Sequence, residues 1–305
     1  MMPIPYPPPM TTVANSTNWA IVSASDASFF PLLRDTVNSI RDKPEGRDVP
    51  FIVFDLGLLA DQREELADRA IHFITPDWDY RFATPQPDWF KAMTARPHLP
   101  KWVPGYDLYF WIDADAWVQR WETVELYLAG AQRLGFAVTA EADRAYSEYV
   151  GPAPGKEAVI GVHFRHQTLQ AFFGEDVAKK FRGYPLLNCG VFAALATSEI
   201  WQTWPQYMRK ALHQGKGDPF FAEQTAMNVA LYGGEVPFAR LPATCNWVVN
   251  RAWPIVGVGG ELVHPDFPHE PIGIIHRTAI TKRMNKCLHA LDGSATNIGL
   301  NYYRP

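Results

Sequence analysis

Apolar and polar positions fall in alternating blocks along the chain. Trp19–Ser25 (WAIVSAS) is a short apolar run ending in small polar residues, which predicts a strand. Leu32, Leu33, Val37 and Ile40 then recur at helical spacing through PLLRDTVNSIRD. VPFIVFDLG predicts a second strand, ADQREELADRA a helix, IHFIT a third strand and DLYFWIDAD a fourth. WETVELYLAGAQRLG reads as a helix stopped by Gly135, and FAVTAE as the next strand. This β-α-β-α order predicts an α/β fold, a mainly parallel sheet flanked by helices on both faces. The near-continuous apolar strands suit a sheet covered on both sides. Such sheets bind ligands beyond the carboxyl ends of their strands. Asp26 follows the first strand at such an end, and Asp113 and Asp115 close the fourth.

The second half is less regular. Gly151–Gly161 (GPAPGKEAVIG) predicts a loop, and YPLLNCGVFAAL a strand interrupted by Asn188 and Gly190. TSEIWQTWPQYMRKAL is helical. DPFFAEQTAMNVALYGG predicts a helix with Asp218 as N-cap and Pro219 at its first position, ending at Gly233 and Gly234. Phe220, Gln224 and Leu231 share one face of it with Met227 or Asn228. ATCNWVV and PIGIIHRTAITK follow. Arg96 precedes Pro97, which predicts an extended or turn segment there.

Composition narrows the class. The 305 residues are 47% hydrophobic and 20% charged, as in a globular enzyme with a buried core. A formal net charge of -4 argues against a nucleic-acid partner. Cys189, Cys245 and Cys287 lie far apart with no metal-type pairing, which predicts a reduced, cytoplasmic setting. Five prolines among the first nine residues predict a flexible tail over residues 1–18. Residues 19–305 read as one domain, with neither a secretory signal nor a membrane-spanning run.

Two carboxylates at i and i+2 repel unless something positive lies between them. At a strand end facing a cleft, Asp113 and Asp115 make a site for Mn²⁺ or Mg²⁺, hard ions that bind through carboxylates and substrate phosphates. In the plainer reading Asp113 caps a turn and Asp115 is solvated. For the strand-end tripeptide alone the two readings are balanced.

Several short motifs, taken in order, tip that balance. They resemble nucleotide-sugar glycosyltransferases of the GT-A fold, and most closely family eight, the retaining enzymes that include glycogenin and bacterial lipopolysaccharide galactosyltransferases. The resemblance runs from Trp19 to about Lys282. SASDASFF resembles the first-strand motif that holds base and ribose, with Asp26 on its aspartate and Phe29 on its aromatic. Arg96 stands upstream of Asp113 where the family carries an arginine for the donor. WIDAD matches the metal motif. LNCGV, with Asn188 and Gly190, resembles the Asn-x-Gly-Val segment that faces donor sugar and acceptor. EQTAMN resembles Asp-Gln-x-x-x-Asn. IIHRTAITK resembles the closing His-x-x-Gly-x-x-Lys, which makes His276 the third metal ligand and Lys282 the diphosphate contact. The chain departs from the pattern at Phe29 (usually Tyr), Glu223 (Asp), Ala279 (Gly) and Arg283-Met284 (Pro-Trp).

The resemblance implies a Rossmann-like GT-A domain, nucleotide-binding over residues 19–145 and acceptor-binding over residues 146–305. It implies a Mn²⁺- or Mg²⁺-dependent hexosyltransferase that moves a hexose from UDP to a hydroxyl acceptor with retention. Gln224 then faces the sugar, Glu223 positions it, and Asp143, after the FAVTAE strand, is a further sugar contact. Acceptor loops fall within Tyr146–Tyr184 and after Asn246. Each residue also has a plainer role: His276 as a core histidine, Lys282 as a surface lysine, Arg96 in a structural ion pair, and Asn188 satisfying a kinked backbone. Two alternatives stand beside the transferase. One is a nucleotidyltransferase making nucleotide sugars, although SASDASFF lacks the glycines of a phosphate loop. The other is a non-catalytic nucleotide- or glycan-binding relative. The expected location is cytoplasmic, with peripheral membrane attachment as a variant.

Overall fold

The computed structural model describes residues 17–302 except 68, 70, 83, 147–159, 235, 284–287 and 297–299. The chain runs β1 (Trp19–Ser25), α1 (Phe30–Arg41), β2 (Phe51–Asp55), α2 (Ala60–Ala67), β3 (Ile71–Ile74), α3 (Lys91–Ala95), α4 (Leu99–Trp102), β4 (Leu108–Ile112) and β5 (Ala116–Val118). It continues through α5 (Trp121–Leu134), β6 (Phe136–Ala140), α6 (Ile160–Phe173), α7 (Glu175–Phe181), β7 (Leu187–Leu195), α8 (Ile200–Gln214) and α9 (Ala222–Tyr232). β8 (Ala239–Leu241), β9 (Trp247–Val248), β10 (Ile255–Val256), β11 (Leu262–Val263) and β12 (Ile274–His276) complete the elements used below.

Seven strands form one sheet in the order β3-β2-β1-β4-β7-β6-β8. β3, β2, β1 and β4 pair in parallel, as do β6 and β8. β7 is the exception, antiparallel to both β4 and β6. The chain leaves β1 outward to β2 and β3, then returns to β4 on the other side of β1. That reversal opens a crevice at the carboxyl ends of β1 and β4. Asp26 follows one strand and Asp113 the other.

Side-chain alternation sends β4 to both faces. Tyr109 and Trp111 pack with Phe192, Trp204 and Met227 beneath α8 and α9. Phe110 and Ile112 pack with Leu33 and Val37 of α1 and Val124 and Leu128 of α5. Helices therefore cover both faces, as the continuous apolar strands predicted. α5 ends where expected, with Gly135 at φ 85 accommodating the left-handed turn.

Five details differ from the sequence reading. α6 and α7 occupy residues 160–181, within the segment assigned to acceptor loops; Gly174 at φ 87 separates them. The loop predicted over Gly151–Gly161 lies outside the described residues up to 159, and Ile160 and Gly161 already belong to α6. β7 runs through Asn188 and Gly190 without a break, because a register shift against β6 at Val138/Thr139 absorbs the irregularity. Arg96 is helical (φ -55, ψ -43), not extended before Pro97. Its guanidinium is drawn into buried contacts that outweigh the local steric preference. The helix after Asp218 opens with a 3₁₀ turn, Pro219–Phe221, capped by the Asp218 carboxylate accepting from Phe220 N at 3.0 Å. Among the described residues no helix is long and apolar enough to cross a membrane.

Candidate active site

Strand register assembles the site. A small second sheet pairs β5 with β12 antiparallel and β12 with β9 in parallel. Its register sets His276 opposite Ala116, next to Asp115, and opposite Val248, two residues from Asn246. Asp113 N donates to Gly190 O at 2.7 Å, which draws β7 alongside the same point. Two sheets thus deliver Asp113, Asp115 and His276 to the crevice. Their ligand atoms all lie within 4.8 Å of one another.

Each group is held in place. Asp113 Oδ1 accepts from Arg96 Nη2 and from Trp111 Nε1, both at 2.8 Å. Its Oδ2 stands 3.9 Å from His276 Nε2. Asp115 is only 6% exposed, so it is not the solvated residue of the plainer reading. Its Oδ1 lies 3.3 Å from His276 Nε2 and its Oδ2 2.7 Å from Lys282 Nζ. Burial opposes its charge, yet His276 and Lys282 hold its carboxyl well below the usual carboxylate range. Burial likewise opposes a charge on His276, and Asp115 and then Asp113 raise it above its ordinary value. His276 is a buried histidine, as the plain reading had it, but its Nε2 faces the two carboxylates.

Two carboxylate oxygens and one imidazole nitrogen make a donor set that Mn²⁺ or Mg²⁺ accepts. Gly190 supplies an independent sign of fit. A Cβ there would collide with His276 Cε1 and stand 2.7 Å from Asp113 Oδ2. The backbone has been brought close because the residue carries no side chain.

Lys282 also sits over the Phe29 ring, Nζ 4.6 Å from the centroid. Both line a cavity of about 530 Å³ with Ser28, Leu32, Arg34 and Arg277. Asp26 is not among the lining residues; its Oδ1 accepts from Ser28 N, Ser28 Oγ and Phe29 N, capping the turn into α1. Asp143 is not brought to the metal cluster. Its Oδ1 lies 2.7 Å from His264 Nε2 and accepts from Ala145 N.

Arg96 is buried over the Trp111 ring at 4.6 Å and touches Asp113, Cys189 O and Cys189 Sγ. Its Nε stands 3.2 Å from Glu223 Oε1. Neither Glu223 oxygen has an aligned hydrogen bond. Burial pushes the Glu223 carboxyl up to about 8; Arg96 opposes this and Asp113 adds to it. Gln224 is half-buried, and its Oε1 accepts from Cys189 N at 3.2 Å.

The state of Glu223 gives a stability prediction. Its folded-state pKa, about 8, exceeds the ordinary 4.5, so the folded protein keeps a proton that the unfolded chain releases. Its contribution therefore falls as pH rises above about 4.5 and levels off past about 8. Glu223→Gln removes that slope. Urea unfolding near both ends of this range should show the variant gaining relative to the parent at high pH. The gain is at most a few kcal/mol, since one pKa unit is about 1.4 kcal/mol. An identical pH dependence in the two proteins would mean that Glu223 is ionised and stably paired with Arg96.

No family model matches the chain, and no curated protein matches it in sequence. Solved structures do match. The structure of the galactosyltransferase LgtC in complex with donor and acceptor sugar analogs aligns with a TM-score of 0.52 at 14% identity. That alignment covers 86% of this chain and 87% of LgtC. The chain has a GT-A fold. The bifunctional glycosyltransferase WbbM aligns with a TM-score of 0.53 at 14% identity, over 88% of this chain and 47% of WbbM. The glycosyltransferase GlyE of Streptococcus pneumoniae gives a TM-score of 0.50 at 13% identity, over 90% of this chain and 57% of GlyE. At these identities the likeness is one of fold. The expected sheet, its helices and the crevice at the strand ends agree with it.

Sequence reasoning missed the residues behind His276. Asn246, Glu141 and Arg251 join Asn188 in a buried polar chain. A faint signal existed. Glu141 is an acid directly after an apolar strand, and Asn246 is a polar residue opening the apolar NWVV.

Proposed function

We propose that the chain is a divalent-metal-dependent glycosyltransferase that moves a hexose from UDP to a hydroxyl acceptor with retention. One observation carries this reading: Asp113, Asp115 and His276, from two separate sheets, converge at the switch-point crevice of a GT-A sheet. Of the neighbours, LgtC is described with donor and acceptor sugar analogs, and WbbM and GlyE are glycosyltransferases. A cation bound here would offset the negative charge that develops on the leaving diphosphate.

The chain's own side chains then divide the work. Phe29 offers a stacking face to the base from the cavity wall. Lys282 lines that cavity and pairs with Asp115, which supports its reading as the diphosphate contact. Arg96 and Trp111 fix Asp113. Residues 19–145 serve the nucleotide and residues 146–305 the acceptor, although β7 of the later half lies beside β4 in the shared sheet.

Two neighbouring residues, Glu223 and Gln224, support the reading of retention. An inverting enzyme needs a carboxylate base at the acceptor hydroxyl. Glu223 is fully buried and held beside Arg96, so it is a positioning residue. Gln224 carries a neutral amide that can donate to developing charge but cannot accept a proton as a base. The departing phosphate of the substrate takes the acceptor proton instead. Gln224→Ala should lower kcat about ten- to a thousandfold and leave UDP affinity within a few fold. NMR should show an α-linked product from an α-linked donor; a β-linked product with a dead Glu223→Gln variant would make Glu223 a base.

The reading as a whole is tested by calorimetry of UDP with and without Mn²⁺, alongside a screen of UDP-sugars for Mn²⁺-dependent hydrolysis. Micromolar UDP binding only with Mn²⁺ is expected. Equal binding of UDP in excess chelator, with no donor turned over, would remove the proposal.

A further inference from the structure

Behind His276 runs a continuous buried chain of polar groups. Arg251 donates through Nε (3.1 Å) and Nη2 (2.9 Å) to Glu141 Oε2. Glu141 Oε1 accepts from Asn188 Nδ2 at 2.7 Å. Asn188 Oδ1 accepts from Asn246 Nδ2 at 3.0 Å and from Gly190 N at 2.8 Å. Asn246 Oδ1 lies 3.0 Å from His276 Nδ1. Glu141, Asn188, Asn246 and His276 are all buried, so water cannot take over a lost partner.

The polarity of this chain is determined from its far end. A carboxylate paired with arginine only accepts, so Asn188 must turn its NH₂ toward Glu141. The backbone N–H of Gly190 fixes the same choice from another side. Asn188 Oδ1 then faces Asn246, which must answer with its NH₂. Asn246 Oδ1 is left facing the imidazole, so Nδ1 must carry the hydrogen. In the neutral ring Nε2 then keeps its lone pair, and Nε2 is the atom 3.3 Å from Asp115 and 3.9 Å from Asp113.

We infer that Asn246 is a positioning residue that locks His276 in the Nδ1–H tautomer as a metal ligand through Nε2, with Glu141 and Arg251 setting the direction of the relay. This rests on the metal-site reading above and adds a role for groups that touch neither metal nor substrate. The purpose is pre-organisation. Partners behind a histidine ligand fix its ring and tautomer, and their loss commonly costs about 10–100-fold in metal affinity.

Two readouts separate the relay from the metal reading. The first is the tautomer of His276 by long-range ¹H–¹⁵N NMR of the metal-free parent protein, at a pH where the ring is neutral. It needs no variant. The Nδ1–H form is expected, and a dominant Nε2–H form overturns the inference. The second is Mn²⁺ affinity by EPR, with Mn²⁺ alone as the probe. Asn246→Ala should bind Mn²⁺ about 10–100-fold more weakly, with a mixed tautomer and a circular dichroism spectrum like the parent's. Asn246→Asp keeps the acceptor toward Nδ1 but loses the NH₂ that answers Asn188 Oδ1, so it should restore the Nδ1–H tautomer without the parent's affinity. Asn246→Ala binding Mn²⁺ as tightly as the parent overturns the inference while the metal site stands. A parent protein with the Nδ1–H tautomer but no Mn²⁺ binding supports the relay and ends the metal reading.

Discussion

Asp113→Asn should lose Mn²⁺-dependent UDP binding and lower donor turnover by on the order of a thousandfold, with the fold intact. The physical reason is the division of labour between the two oxygens. Oδ1 is held by Arg96 and Trp111, so Oδ2 is the oxygen free to face His276 and Asp115. Asparagine keeps an acceptor for those two donors but lacks the charge a hard cation requires. Losing that charge costs several kcal/mol of stabilisation at the leaving group, and each 1.4 kcal/mol is tenfold. Arg96 keeps Glu223 and Cys189 as neighbours, so the structural cost is about 1–3 kcal/mol. EPR titration of Mn²⁺, UDP calorimetry and circular dichroism would measure the three effects. Undiminished turnover by the variant, or by the parent in excess chelator, would sink the metal-dependent reading.

Gly190→Ala should be almost as damaging, although glycine contributes no chemistry. The added methyl would collide with His276 Cε1, stand 2.7 Å from Asp113 Oδ2 and 3.0 Å from Asn188 Oδ1. None of these is the end of a flexible side chain. The ring is pinned between Asn246 and Asp115, and Asp113 between Arg96 and Trp111. Something must shift, and the atoms that shift are the metal ligands. Mn²⁺ affinity should fall at least as far as in His276→Ala, with an overpacking cost of about 1–3 kcal/mol in thermal or urea unfolding. Gly183→Ala is the control, because nothing lies within 4 Å of its added methyl. Should Gly190→Ala bind Mn²⁺ like the parent, the convergence of β7 on the site would be incidental.

The two effects draw on different kinds of information. Near-continuous apolar runs, helical spacing in PLLRDTVNSIRD and the stop at Gly135 are local features, so sheet, helices and their order were legible in the chain. The same holds for Asp113 and Asp115. Two acids closing an apolar run stand out against the burial that precedes them. α6 and α7 were missed because that segment was read as acceptor loops, although Leu169, Phe172, Ala178 and Phe181 are buried. Arg96 was misread because the rule for residues before proline weighs only local sterics, and its conformation is decided by Asp113, Glu223 and Cys189 across the molecule.

The sequence by itself determined the α/β class, the strand ends that face the crevice and the identity of the acids there. Only the tertiary structure decided that Asp115 is buried rather than solvated, that Glu223 is a sealed carboxyl beside Arg96, and that His276 turns Nε2 toward the acids. The reason is that these are relations between partners far apart in the chain. The register of β12 against β5 and β9 sets which atoms meet, and a buried polar group must find its partner wherever the fold places one.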